Sequence, residues 1–168
     1  NLKAQSAKGN TALHIAMPIY EIANHLLAKG ADLTALNHEG ESAFFQTMRA
    51  SYAETVGRDF ILKLIQSGID INARNIYGET ALQAALRHNN VLGMTLLLEK
   101  GADPNVIKAT ELDNTGYNLM MYVMASTYIS PREKMPLLEL LYQSGADINI
   151  INRNGENALF VALRDYNQ

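Results

Sequence analysis

The chain alternates between short apolar runs and polar segments in one recurring order. The clearest copy lies between Gly78 and Asn105, where one apolar run begins after Thr80 and a second fills Val91 to Leu98. Apolar runs of this length, bounded by turn residues, predict two short helices in each copy. Because the same order recurs along the whole sequence, the pattern predicts an all-α array of repeated helix pairs.

Two sets of glycines mark the repeat. The opening glycines, each before a first apolar run, are Gly9, Gly40, Gly78, Gly116 and Gly155. The closing glycines, each after a second run, are Gly30, Gly68, Gly101 and Gly145. By subtraction, consecutive opening glycines lie 31, 38, 38 and 39 residues apart. The closing set is expected to adopt the left-handed conformation that ends a helix, which costs glycine least.

The positions after each opening glycine also repeat. The second residue after each opening glycine has a side chain that can accept a hydrogen bond from the free backbone N–H groups of a helix start. These residues are Thr11, Ser42, Thr80, Asn118 and Asn157. Two positions later comes a large apolar residue that is expected to face the core, and these are Leu13, Phe44, Leu82, Met120 and Leu159.

The spacing predicts one domain, residues 1–168, with repeats at about 8–36, 37–74, 75–107 and 113–151 and a partial repeat at 152–168. The long intervals predict insertions near 51–58, where Gly57 indicates a turn, and near 127–134. Pro18 is expected to end its helix early, whereas Pro131 and Pro136 mark the entry to a helix. The last helix has no predicted partner, so we expect either that the chain is a segment of a longer protein, which is the favoured account, or that this helix itself caps the array.

Four sequence blocks carry a family resemblance. Thr11-Ala-Leu-His14 opens the first repeat, Lys29-Gly-Ala-Asp32 closes it, and Lys100-Gly-Ala-Asp103 and Ser144-Gly-Ala-Asp147 close two later repeats. They resemble the ankyrin repeat, with its Thr-Pro-Leu-His start and Gly-Ala-Asp close. The resemblance spans residues 8–168 and implies a solenoid of stacked helix pairs with projecting hairpins. It departs from the family in lacking the proline, and His14 alone keeps the histidine, which in the family hydrogen-bonds the turn between repeats.

The resemblance also implies where a partner binds. In similar proteins partners contact the hairpin tips and the exposed side of the first helices, which together form a concave face. Transferred to this chain, those positions are His38, Glu39, Glu41, Phe45, Arg49, Arg74, Ile76, Tyr77, Glu79, Gln83, Arg87, His88, Thr115, Tyr117, Met121, Arg153, Phe160 and Arg164.

Four of these positions are favoured as binding hot spots, namely Arg74, Tyr77, Arg87 and Tyr117, because aromatic and arginine side chains dominate interface energies. The alternative, that the two tyrosines only pack neighbouring hairpins together, stays open. The insertions, which carry Tyr52 and Tyr128, form a second candidate surface.

Composition narrows the function classes. The chain has no cysteine and a net charge of −3 with both signs interspersed. This composition disfavours a disulfide framework and a nucleic-acid partner, and no apolar run approaches the about 20 residues of a membrane span. We therefore expect an intracellular monomer that binds a protein or peptide, with no nucleic acid, membrane or cofactor.

No catalytic constellation is visible. Neither Ser51 nor Ser126 has a nominated base, and no histidine pair has metal-ligand spacing among His14, His25, His38 and His88. The aspartates Asp32, Asp70, Asp103 and Asp147 occur once per repeat, so we expect them to cap turns rather than to bind calcium. The sequence thus predicts a segment without enzymatic activity, although a catalytic domain can lie elsewhere in the parent protein.

Two binding functions remain. The leading hypothesis is a protein-interaction module that binds its partner on the concave face and serves as the targeting part of a larger protein. Irregular arrays of this kind resemble those of intracellular bacterial effectors and of eukaryotic scaffolds. The alternative is a methyl-lysine reader whose aromatic cage is built from Phe45, Tyr77, Tyr117 and Met121.

Overall fold

The computed structural model describes residues 1–50, 54–106 and 116–166, and this part of the chain folds as stacked helix pairs. Its helices are α1 Ala12–Ala16, α2 Tyr20–Ala28, α3 Ala43–Arg49, α4 Glu54–Gln66, α5 Ala81–Arg87, α6 Val91–Glu99, α7 Leu119–Ala125, α8 Pro131–Gln143 and α9 Ala158–Tyr166. The described hairpins contain isolated bridges such as Leu36 with Ser42, and no strand. The predicted all-α solenoid is confirmed.

The helices form two layers. In the first layer α1, α3, α5, α7 and α9 pack side by side in chain order, and in the second α4, α6 and α8 do the same. Each first-layer helix up to α7 is followed by the second-layer helix of its own repeat. Helix α6 is sandwiched between α4 and α8, so Leu96, Leu97 and Leu98 are all buried although they point in different directions.

The first helices begin at the predicted polar residues. The side chains of Thr80, Asn118 and Asn157 accept the backbone N–H three residues later at 3.4, 3.0 and 3.1 Å. Each bond satisfies one of the donors that a helix start leaves without a partner. Ser42 also precedes a helix, but it makes no such side-chain bond.

Both sets of glycines adopt positive φ. The closing set lies at φ 86 to 88°, as predicted. The opening set lies at φ 67 to 77°, and at Gly9, Gly40 and Gly116 contact with the next hairpin adds a second constraint. A Cβ on Gly9 would lie 2.6 Å from Cδ2 and 2.7 Å from the backbone nitrogen of His38. These three glycines therefore allow the hairpins to stack closely as well as to turn.

The insertions lengthen helices where a turn was expected. Gly57 lies inside α4, and both α4 and α8 have 13 residues against 9 in α2 and α6. Pro131 occupies the first turn of α8 as predicted, but Pro136 lies within the helix. Its ring is tolerated because residue 136 is on the exposed side, where water can bond the freed carbonyl group. Tyr52, part of the first insertion, lies outside the described residues.

The core runs through the array without interruption. Leu13, Phe44, Leu82 and Met120 are at most 5% exposed, as their repeated position predicts. Leu159, the equivalent residue of the last repeat, is 58% exposed. Helix α9 contacts α7, and within the described residues no second helix follows it to cover this position.

Candidate functional site

Buried asparagines fix the hairpins that connect the repeats. Asn75 Oδ1 accepts the N–H groups of Tyr77 and Glu79 at 3.0 and 2.9 Å, and Asn37 and Asn152 make the same pair of bonds in their own hairpins. The amide of Asn75 then donates to Glu41 Oε1 of the preceding repeat at 2.8 Å. One residue type therefore holds its own turn and, in Asn75, also joins two repeats.

His14 has the structural role that the resemblance implies. Its Nδ1 accepts the Thr11 N–H at 3.2 Å, and its Nε2 lies 2.9 Å from the Glu41 carbonyl oxygen. A neutral imidazole accepts on one nitrogen and donates from the other, so these contacts place the proton on Nε2. The ring is 2% exposed and links the first two repeats, which confirms the predicted structural role.

Three glutamates pair with arginines at one repeated spacing, and we call each pair a Glu–Arg rung. Each arginine stands eight residues after its glutamate, as in Glu41 with Arg49 and Glu79 with Arg87, the latter pair at 2.8 Å. The third rung joins Glu156 to Arg164 at 3.1 Å. The glutamate lies at the start of a first-layer helix and the arginine at or near its end, so each rung follows the exposed side of a first-layer helix.

The rungs hold buried charge next to exposed charge. The side chains of Glu41 and Glu79 are 0% and 3% exposed, whereas those of Arg49 and Arg87 are 23% and 48% exposed. A buried carboxylate is costly unless it is paired and hydrogen-bonded, and these are both. The arginines are consequently anchored on their inner side while their outer side faces solvent.

Glu156 occupies a more exposed version of the same arrangement. The hydrogen bond from the Asn152 side chain, aided by the nearby Arg164 charge, holds the pKa of this carboxyl below its ordinary value of 4.5. The third rung is therefore charged on both sides at neutral pH.

Repeat four breaks the series of rungs. Tyr117 stands at the glutamate position, and Ala125, eight residues later, stands at the arginine position. The Tyr117 hydroxyl instead accepts from Arg164 Nη2 at 2.6 Å, and its ring meets Tyr122 edge-on with centroids 5.5 Å apart. An aromatic wall thus replaces the ion pair.

A cavity of about 320 Å³ opens at repeat four, where the Glu–Arg rung is missing. It is lined by Glu79, Gln83, Leu86, Arg87, Tyr117, Tyr122, Ala125, Ser126, Thr127 and Tyr128. A more open cavity of about 340 Å³, which has four polar residues in its lining, adjoins it and is lined by Leu86, Arg87, His88, Asn89, Ser126 and Tyr128. We call the first the tyrosine pocket and the second the polar shelf.

Most of the predicted partner-binding residues are exposed. The exposed ones are His38, Arg74, Ile76, Tyr77, Arg87, His88, Arg153, Phe160 and Arg164, and the half-buried ones are Glu39 and Arg49. Arg74 is also hydrogen-bonded to the Gly78 carbonyl at 3.1 Å. Thr115 lies outside the described residues.

Six of the expected surface residues are buried, namely Glu41, Phe45, Glu79, Gln83, Tyr117 and Met121. The prediction that these six side chains are exposed is therefore wrong. Phe45, Gln83 and Met121 take the place of the family histidine, which points under the hairpin. Gln83 bonds there as His14 does, because its Oε1 accepts the Thr80 N–H at 3.1 Å and its amide reaches the Val106 carbonyl at 3.3 Å.

The aromatic cage expected of a methyl-lysine reader is not assembled from the predicted residues. Phe45 and Met121 are 2% and 0% exposed, while Tyr77 lies on a hairpin surface. Tyr117 meets Tyr122 instead. Tyr122 was not among the predicted residues, although the broken eight-residue spacing between Tyr117 and Ala125 is a signal that the sequence carries.

The repeated aspartates cap turns, as predicted. Asp32, Asp70, Asp103 and Asp147 each accept the backbone N–H two residues later at 2.8 to 2.9 Å. The Thr34 hydroxyl also bonds Asp32 and keeps the pKa of that carboxyl below its ordinary value of 3.8. Over residues 1–50, 54–106 and 116–166, no three His, Asp or Glu side chains cluster as a metal site would need.

Comparison with known families agrees with the repeat geometry. The sequence model described as "Ankyrin repeats (3 copies)" matches residues 18–108, and "Ankyrin repeats (many copies)" matches residues 119–165. The chain belongs to the ankyrin repeat family. Ankyrin repeats generally mediate protein–protein interaction, and such domains are typically non-catalytic. No helix in the described residues is long and apolar enough to cross a membrane.

Relatives of this ankyrin repeat chain include animal and viral proteins. It is 27% identical to the B-cell lymphoma 3 protein homolog of Mus musculus over 90% of the chain and 39% of that protein. It is 28% identical to the human B-cell lymphoma 3 protein over the same shares. It is 31% identical to the putative ankyrin repeat protein FPV219 of Fowlpox virus over 50% of the chain and 17% of that protein. The chain therefore spans about two fifths or less of these relatives.

Proposed function

We propose that this ankyrin array is a non-catalytic recognition module that binds a partner protein on the exposed side of its first-layer helices, the concave face of the family. The main support for this proposal is the series of Glu–Arg rungs along that side of the array. Arg49, Arg87 and Arg164 all lie on it, and each is held from beneath by a carboxylate.

The rungs favour binding because they fix the arginines before a partner arrives. A long side chain loses about 0.5–1.5 kcal/mol of rotamer freedom when an interface immobilises it. Here Arg87 is already bonded to Glu79 at 2.8 Å, while 48% of its side chain remains exposed. Since a guanidinium carries five donors, its outer edge can still meet an acceptor on the partner.

The same surface offers apolar contact beside the arginines. Phe160 is 62% exposed on α9, and Tyr128 is 85% exposed at the rim of the tyrosine pocket. Arginine and aromatic side chains together are the usual composition of interface hot spots. The proposed partner is a protein segment that combines acceptor groups with at least one apolar side chain.

The proposal also covers the setting of the module. We place it inside the cell, as the targeting part of a longer protein, without a cofactor of its own and without nucleic acid or membrane as its partner. The absence of cysteine and the interspersed charge support this setting.

Affinity capture with two matched baits tests the proposed face. The first bait carries Arg87→Ala and Tyr122→Ala on the first-layer side. The second carries Arg132→Ala and Tyr142→Ala on α8, so it loses the same residue types from the second layer. Both are checked for native helicity by circular dichroism before use.

The expected result is a protein that wild type and the α8 bait capture and the first-layer bait does not. Equal capture by all three baits would overturn the assignment of this face. Loss from the α8 bait alone would move the binding surface to the second layer.

A further inference from the structure

The tyrosine pocket is the feature that the rest of the array does not explain. It is bounded by Tyr117, Tyr122 and Tyr128, and it opens beside Arg87. A cavity of about 320 Å³ falls at the small end of the range for ligand pockets, which begins near about 300 Å³. It is therefore too small for a folded element and matches one large side chain.

The pocket is present because repeat four departs from its neighbours. In the repeats that keep the rung, an arginine crosses this position and bonds a glutamate eight residues earlier. Ala125 replaces that arginine with a methyl group. The space that an arginine fills elsewhere is open here, and its floor is an aromatic pair rather than an ion pair.

The lining selects an uncharged aromatic guest. Tyr117 and Tyr122 already meet edge-on at 5.5 Å, and a third ring is favoured at about 4.5–7 Å in an edge or offset arrangement. A cation has no available counter-charge here, because the buried Glu79 carboxylate is bonded to Arg87 at 2.8 Å and lies 3.9 Å from Arg49. Arg87 would in addition repel it.

The polar shelf determines which partner residue can lie next to the aromatic side chain. Arg87, His88, Asn89 and Ser126 line it, and its lining contains no carboxylate. Arg87 is 48% exposed on its side chain and supplies fixed donors at the border of the two cavities. A carboxylate on the residue adjoining the aromatic one would therefore meet complementary charge.

We infer that the tyrosine pocket is an anchor site for an aromatic side chain of the partner, and that the polar shelf binds an acidic residue next to it. This inference rests on the proposed function and specifies the partner: an extended peptide segment with an aromatic residue beside Asp or Glu.

Amide NMR with three synthetic peptides tests the anchor directly. The probe is acetyl-Gly-Gly-Trp-Glu-Gly-Gly-amide, and its two controls replace Trp by Ala or Glu by Lys. The probe should bind with a dissociation constant in about the millimolar range or below and shift the amides of Arg87, Ala125 and Ser126. Each control should bind at least roughly fivefold more weakly. Binding of the Lys peptide as tight as that of the probe, or shifts confined to other helices, would overturn the inference.

Two variants remove the pocket in different ways. Ala125→Arg fills it with the side chain that the other rungs carry, and its control Ala28→Arg adds the same charge at the exposed end of α2. Tyr128→Ala removes a wall residue that is 85% exposed, so folding is not at risk. Both pocket variants should weaken the Trp-Glu probe at least roughly fivefold, and the control by less than twofold. Unchanged binding in both pocket variants would contradict the assignment.

The capture experiment distinguishes a wrong binding face from a wrong anchor site, when Ala125→Arg and Ala28→Arg are added as baits. If Ala125→Arg retains a partner that the Arg87→Ala and Tyr122→Ala bait loses, the first-layer face is right and the anchor is wrong. If both baits retain the partner, both the face and the anchor are wrong. If both lose it while Ala28→Arg retains it, both are supported.

Discussion

Repeats three and four show two uses of the same backbone position. In repeat three Glu79 and Arg87 form an ion pair in which the carboxylate is buried and the arginine side chain is 48% exposed. In repeat four Tyr117 and Ala125 occupy the equivalent places, and the surface opens into a pocket with aromatic walls. The difference teaches that one rung can be removed without loss of the helix pair, because α7 still packs on α5, α8 and α9.

The largest expected effect comes from breaking an intact rung. Glu41→Ala removes a fully buried carboxylate that holds Arg49 and Asn75. Loss of one partner from a buried pair costs about 3–5 kcal/mol, and we expect the lower end because Arg49 is partly exposed. Urea unfolding followed by circular dichroism measures the change. Glu39→Ala, in the same hairpin but outside the rung, should cost less than about 0.5 kcal/mol. Equal losses for the two variants would contradict the special role of the rung.

Introducing a Glu–Arg rung into repeat four tests whether positions 117 and 125 can form the ion pair that repeat three has. Tyr117→Glu alone should be destabilising, since it buries a new carboxylate next to Tyr122. With Ala125→Arg added, that carboxylate gains its partner, and a double-mutant cycle should give a favourable coupling of about 1 kcal/mol or more. The four unfolding free energies are measured at one pH and ionic strength. Additive effects would mean that position 125 does not reach position 117 as the other rungs imply.

A smaller loss of stability is expected when the hydrogen bond between Tyr117 and Arg164, which takes the place of the rung in repeat four, is removed. Tyr117→Phe keeps the ring and removes the hydroxyl that accepts from Arg164 Nη2 at 2.6 Å. A hydrogen bond of this kind contributes about 1 kcal/mol net, so the free energy of unfolding should fall by that amount. Tyr142→Phe, at a tyrosine that is 66% exposed, is the control and should be neutral. A neutral Tyr117→Phe would show that this hydrogen bond does not stabilise the junction between repeats four and five.

The smallest effect concerns His88 on the polar shelf. Burial first, and then the charges of Arg87 and Arg49, lower the pKa of this imidazole from its ordinary value of 6.5, while Glu79 opposes the shift. Below pH 6.5 the unfolded chain therefore binds more protons than the folded chain. Stability from this group is complete above the unfolded pKa and is lost as pH falls through the folded pKa. An NMR titration should give a pKa under 6.5, and Arg87→Ala should raise it. A pKa above 6.5 would contradict the placement.

The fold was predictable because each repeat carries the same local chemistry. The closing glycines, the polar caps and the core position from Leu13 to Met120 follow from spacing alone. The insertion of repeat two was placed in the right region, but a turn was expected at Gly57, where the helix continues. One glycine costs a helix only about 1 kcal/mol, and the contacts of α4 with α6 outweigh that cost.

The site was harder to predict because the family resemblance indicates where each residue lies in the repeat but not whether its side chain is buried. Arg49, Arg87 and Arg164 were expected on the surface and lie there at least in part. Glu41 and Glu79 are charged and were expected beside them, but ion pairing allows both to be buried. Phe45 and Met121 follow the family histidine into the interior. The pocket depends on the arginine that position 125 lacks, and its signal in the sequence is the break in the eight-residue Glu–Arg spacing at Tyr117 and Ala125, which becomes recognisable once the other rungs are known.

Photo-crosslinking from single residues tests whether the partner binds the first-layer helices. A photoreactive phenylalanine at Tyr128 stands at the tyrosine pocket, and the same group at Tyr142 stands on the exposed side of α8. Both sites are exposed, so neither replacement disturbs the core. We predict that the captured partner crosslinks from position 128 and not from position 142. A crosslink from position 142 alone would contradict recognition on the first-layer helices.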